Sequence, residues 1–93
     1  MKVVWSPKSV AEIGDHVEYI AKDSEKAAKA WAEGLFRRVE GLLEFPLVGR
    51  LGKRGGAKGI RELVIDSDFL LTYRVRKKEI HVLAFFHAAR KRG

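Results

Sequence analysis

The residues of this chain best equipped for chemistry are cations and one histidine. Arg61 stands at the mouth of a β-rich run, Arg74 and Arg76 alternate along a second, and His87 and Arg90 close a third in EIHVLAFFHAAR. Four more cations, Arg50, Lys53, Arg54 and Lys58, crowd the glycine-rich stretch LVGRLGKRGGAKG. Guanidinium and ammonium groups grip phosphates and stabilise charge developing during phosphodiester cleavage, and an imidazole with an ordinary pKa of about 6.5 moves protons near neutrality. RNA is a substrate for which this equipment suffices, because its 2′-hydroxyl is itself the nucleophile. The candidate catalytic set is therefore Arg61, Arg74, His87 and Arg90, with Arg50, Lys53, Arg54, Lys58 and Arg76 as binding cations. The competing reading of His87 is a structural histidine ending a core strand.

Other chemistries find less support. His16, His81 and His87 lack ligand spacing such as HxxxH, and there is no cysteine to join them, so no metal site or cofactor is expected. Ser6, Ser9, Ser24 and Ser67 fall at expected helix caps, first turns or a hairpin link, where serine has a structural use. Asp66 and Asp68 flank a turn that favours aspartate for local hydrogen bonds. GRLGKRGGAKG lacks the GKS or GKT ending of a phosphate-binding loop and is followed by a strand instead of a helix.

The elements that position these groups can be read from periodicity. KVVW is a β-branched and aromatic run that ends at Ser6-Pro7, a cap and first-turn pair opening a helix. Val10, Ile13, Val17 and Ile20 form its apolar stripe. KDSEK interrupts the pattern, with Asp23 or Ser24 as the next cap, and Ala28, Trp31, Leu35, Val39 and Leu42 line a second helix that should stop near Phe45-Pro46. Gly14 and Gly34 sit mid-helix, where they would permit close helix approach. LVGRLGKRGGAKG, with no periodicity, is expected to be a loop.

GIRELVID, DFLLTYRVR and EIHVLAFFH then read as an antiparallel meander joined at Asp66-Ser67-Asp68 and Lys77-Lys78. Alternation puts Phe69, Leu71, Tyr73 and Val75 toward the core and Leu70, Thr72, Arg74 and Arg76 on an open face, with both arginines in solvent. Trp5 and Trp31 should pack between helices and sheet. The order is βααβββ: an α+β two-layer domain over residues 1–93, with an N-terminal helical hairpin packed on an antiparallel sheet.

Charge and length bound the partners. A chain of 93 residues builds one core, and no apolar run approaches the roughly 20 residues that span a bilayer. No export signal is evident, and the absence of cysteine fits a cytoplasmic setting. Twelve of the 19 Lys and Arg but only four of the 12 Asp and Glu follow Glu44, so the net charge of +7 is concentrated in the second half. Such a field favours a polyanion or an acidic protein segment.

Almost the whole chain resembles the RelE/ParE superfamily of type II toxin-antitoxin toxins. The matching features, in order, are the strand ending in WSP, AAKAWAEGL in the hairpin, FPLVGR at its end, GIRELVI, FLLTYRV and the closing FFHAAR. The resemblance implies two helices on an antiparallel sheet, growth arrest, and a cognate antitoxin whose carboxy-terminal segment wraps the toxin. That segment is expected to be acidic and amphipathic, laid along the helices and over the basic sheet face.

Within the superfamily, RelE-like members cleave mRNA in the ribosome with basic side chains on the sheet and an arginine just beyond the last strand, a position matched by Arg90. Here RELVI offers only Arg61 where a basic pair is expected, Leu70 replaces an arginine before the aliphatic-Tyr segment, and no aromatic follows Arg92. GRLGKRGGAKGIREL and YRV...FFHAAR look more like ParE-type members, which inhibit DNA gyrase by binding. The favoured expectation is a ParE-like toxin. A RelE-like endoribonuclease and a non-toxic basic nucleic-acid-binding module are the alternatives.

Overall fold

The computed structural model describes residues 1–52 and 59–91. β1 (Lys2–Trp5) leads into α1 (Pro7–Ala21), α2 (Glu25–Glu40) and a 3₁₀ turn (Gly41–Leu43). β2 (Arg50–Leu51), β3 (Arg61–Ile65), β4 (Phe69–Arg76), β5 (Glu79–His87) and a closing 3₁₀ turn (Ala88–Lys91) follow. The sheet runs β1-β5-β4-β3-β2. The two helices pack together, and α1 lies against β5. No helix among the described residues is long and apolar enough to cross a membrane.

The α+β layering and the β3-β4-β5 meander match expectation, and two details correct it. The sheet is mixed, because β1 pairs parallel to β5, with Val3 opposite Ile80 and Trp5 opposite Val82. A period-two pattern reports which face of a strand is buried and says nothing of the direction in which its edge is paired. The stretch read wholly as a loop also contains β2, a two-residue strand pairing Arg50 with Glu62 and Leu51 with Arg61.

Helix starts follow the cap chemistry. Ser6 accepts from the Ser9 amide at 3.0 Å with Pro7 behind it, and Ser24, not Asp23, caps α2 by accepting from the Ala27 amide at 3.0 Å. α2 ends at Glu40, short of Phe45-Pro46, and the chain tightens through Gly41–Leu43 to bury Leu42. Ile13, Leu35, Val39, Leu71, Tyr73, Ile80, Val82 and Phe85 form the core with Leu42. Val10, expected in the stripe, is exposed. Trp5 packs edge-on against Phe36 at 5.4 Å, and the Trp31 indole N–H donates to Asp66 at 2.6 Å.

β5 carries a bulge. Thr72 pairs with Ala84 and Tyr73 with Val82, leaving Leu83 without a partner across the ladder. Beyond the last β1 pair at Val82, two β5 backbone groups bond to the start of α1: the Ser6 hydroxyl donates to Leu83 O at 2.9 Å, and the Phe85 amide donates to the Glu12 carboxylate at 2.9 Å. The extra residue moves Phe85 onto the helix-covered face beside Ile80 and Val82, and His87 with it.

The mid-helix glycines do not mediate helix approach. A Cβ built on Gly14 or Gly34 meets nothing within 4 Å. Both positions therefore carry the entropic cost of glycine in a helix with no packing return. Gly14→Ala and Gly34→Ala should each stabilise the protein by about 0.4–1 kcal/mol, read as a higher urea midpoint with an unchanged m-value.

Candidate functional site

The best-built local structure outside the apolar core surrounds the Tyr73 hydroxyl. Tyr73 is fully buried, and its hydroxyl donates to Pro46 O at 2.8 Å while accepting from the Gly49 amide at 2.9 Å. Gly49 is required there, since a Cβ would lie 2.7 Å from the Tyr73 ring and 2.9 Å from Glu62 O. Arg61, the cross-strand neighbour of Tyr73, donates to Gly49 O at 2.8 Å and Leu47 O at 3.2 Å. The PLVG segment is thus held on both sides, and Phe45, Leu47, Val48 and Leu51 point into solvent around it, each more than half exposed. Burial raises the Tyr73 pKa above its ordinary value, opposed by the Gly49 hydrogen bond and the Arg61 charge.

Of the expected catalytic residues, Arg61, Arg74 and His87 do not converge. Arg61 lies on the helix-covered face and is occupied by the two loop carbonyls. Arg74 lies on the opposite face, paired across strands with His81, and is half-buried instead of solvated, with its Nε buried and unpartnered. His87 pairs with Phe69, whereas Arg61 pairs with Tyr73. Four residues of strand, about 13 Å at 3.3 Å per residue, separate those positions along β4. Arg90 lies in the closing 3₁₀ turn, and its side chain is outside the described set.

Of the binding cations, Arg76 is exposed and shares the open face with Arg74. Arg50, opposite Glu62, is on the same face and pairs with that carboxylate at 3.3 Å. Glu79 offsets part of the remaining charge, 3.6 Å from Lys2 and 3.0 Å from His81. Lys53, Arg54 and Lys58 lie outside the described residues. Among the described residues, no group of three or more His, Asp or Glu is arranged to hold a metal.

A second feature, which the sequence reading missed, is a groove of about 640 Å³ between α1 and the far ends of β4 and β5. Asp15, His16, Tyr19, Phe69, Phe85 and His87 contribute to its walls. Phe69 and Phe85 stack 5.0 Å apart with their rings 3° from parallel, and His16 tilts against Phe69 at 4.4 Å and Trp31 at 4.6 Å. The signal was present as Asp15, His16 and Tyr19 at i, i+1 and i+4, but the bulge that brings His87 to the same side is not readable from alternation. Burial holds the His16 pKa below its ordinary value, with Asp66 acting in the opposite sense.

Tyr73 and His16 each make a prediction. Tyr73→Phe leaves the Gly49 amide dry and should cost about 1–3 kcal/mol of stability by chemical denaturation. Because the folded pKa of Tyr73 is raised, its contribution is complete below the unfolded value of about 10 and disappears as pH rises through the folded value; Tyr73→Phe should therefore flatten the alkaline limb of the stability curve. His16 behaves oppositely: with its pKa depressed, stability is complete above about 6.5 and declines as pH falls through the folded value. His16→Phe should remove that acid sensitivity, measured as thermal midpoint against pH.

Comparison with known proteins gives a consistent answer. Residues 3–92 match the family described as "ParE toxin of type II toxin-antitoxin system, parDE". The chain is 32% identical to "Toxin RelE2" of Caulobacter vibrioides over 96% of its own length and 97% of that protein. It is 28% identical to "Putative toxin Y4kP" of Sinorhizobium fredii, covering 94% of this chain and 88% of that one. A solved structure titled "Chromosomal ParDE TA system from P. aeruginosa" superposes with a TM-score of 0.76 at 22% identity, covering 94% of this chain and 95% of the other, and shares its fold.

Proposed function

The chain belongs to the ParE toxin family of type II toxin-antitoxin systems, and from that premise we propose that it arrests growth by binding a protein target, DNA gyrase, without a covalent step of its own. One observation carries the choice: the residues that would share the work of RNA cleavage lie on opposite faces of the sheet, with Arg61 committed to loop carbonyls. Phosphodiester cleavage needs its proton-transfer and charge-stabilising groups within hydrogen-bond reach of one phosphate. A binding poison has no such requirement. The rigidly held PLVG segment supports that mode, presenting exposed apolar side chains beside Arg50, as a protein contact would require.

The partner that restrains the toxin follows from the family. Its antitoxin is proposed to lay an acidic, amphipathic segment along the helices and over the face bearing Arg50, Arg74 and Arg76. The second reading, a ribosome-dependent endoribonuclease, draws on Arg74 and Arg76 sharing an open face and on Arg90 just beyond β5.

Supercoiling assays with purified gyrase and cleavage mapping of mRNA in a translating extract separate the two. The binding mode predicts dose-dependent loss of supercoiling and intact mRNA. Ribosome-dependent cleavage that disappears in Arg90→Ala, with supercoiling unaffected, would replace it with the nuclease.

A further inference from the structure

We propose that the groove between α1 and the ends of β4 and β5 is the seat of an arginine side chain carried by the antitoxin. This rests on the reading that an antitoxin holds the chain, and it adds a contact of opposite polarity to the acidic segment expected elsewhere. The groove volume of about 640 Å³ is ample for one long side chain. Its accessible walls are aromatic: Phe69 and His16 are half-buried, and His16 stacks within 20° of the exposed Tyr19 at 6.2 Å. Planar, weakly hydrated guanidinium lies well against such rings, whereas a compact ammonium has no face to stack.

The polar groups select a donor with positive charge. Asp15 is exposed at the groove and has no ion pair among the described residues, while Glu12 is already engaged by the Phe85 amide at 2.9 Å and Lys8 at 3.0 Å. His87 lines the same groove, with its Nδ1 buried. A guanidinium fork supplies paired N–H donors to the Asp15 carboxylate. On a protein of net charge +7, this groove is a place where a cation is welcome, which makes it a specificity contact.

The test uses the isolated toxin with arginine amide and its neutral isostere citrulline amide, and then the antitoxin. Arginine amide should shift the side-chain NMR signals of Tyr19, His16 and Phe85 saturably. Citrulline amide should do so about tenfold more weakly, and Asp15→Asn should weaken arginine binding several-fold, in keeping with a solvent-accessible charge contact. Asp15→Arg, a change on the exposed surface of α1, should raise the antitoxin Kd about tenfold or more, with recovery when one antitoxin arginine is replaced by glutamate.

Equal shifts from the two amides, or shifts confined to the open sheet face, overturn the assignment. Tight antitoxin binding that is the same in wild type and Asp15→Arg overturns it while leaving the toxin-antitoxin reading intact. No antitoxin binding by either protein defeats that reading, and this inference with it.

Discussion

The Tyr73 hydroxyl is the constraint around which the second half of the molecule is arranged. A phenol at the centre of a sheet buries its ring readily but needs a partner for its O–H, and here it finds both a donor and an acceptor in one loop. That pair of bonds pins Pro46 and Gly49, and Arg61 then closes on the carbonyls of Leu47 and Gly49. The loop is consequently short of freedom at its base, and β2 is laid against β3 in a defined register. The exposed apolar side chains of the segment are held out by this clamp: the backbone points inward to Tyr73, so Leu47 and Val48 face solvent.

A second constraint acts at the other edge. Beyond the last β1 pair at Val82 the edge of β5 would leave backbone groups unpaired, and Ser6 and Glu12 supply partners for Leu83 O and the Phe85 amide. Ser6 thereby serves two purposes, accepting from the Ser9 amide to start the helix and donating to the bulged strand. Helix start and strand irregularity are one structure. Its consequence is that the last turn of β5 faces α1 and gives His87 aromatic neighbours in place of the open face that carries Arg74.

These two constraints explain what could and could not be read from the residues. Helix caps, tight links and the three meander strands depend on local sequence, so Ser6-Pro7, Ser24 and the alternation FLLTYRV place them correctly. The parallel pairing of β1, the bulge and the requirement for glycine at position 49 depend on groups remote in sequence. The bond from Ser6 to Leu83 spans 77 residues, and that from Glu12 to Phe85 spans 73. Arg61, Arg74 and His87 are kept apart for the same reason: residue type marked them as capable, but face and engagement are tertiary properties. Arg61 looked free in sequence and is bound in the fold.

The electrostatics are likewise a tertiary property, and they bear on how a partner must be built. Counted along the chain, the second half is strongly basic with only four acids; in the fold, two of these, Glu62 and Glu79, sit among the open-face cations and pair with Arg50, Lys2 and His81. Arg76 is thereby left more available than its neighbours to an acidic partner, and Arg74 is partly withdrawn. On the other side of the sheet, Asp15 is the unpaired charge among the described residues that line the groove. Under the proposed arrangement, a partner spanning both surfaces would change polarity along its length, acidic over the open face and basic beside Asp15 on α1. A uniformly acidic segment would match the net charge of the toxin yet meet Asp15 as a like charge. Selectivity on such a surface comes from the sequence of charges along the partner more than from their sum.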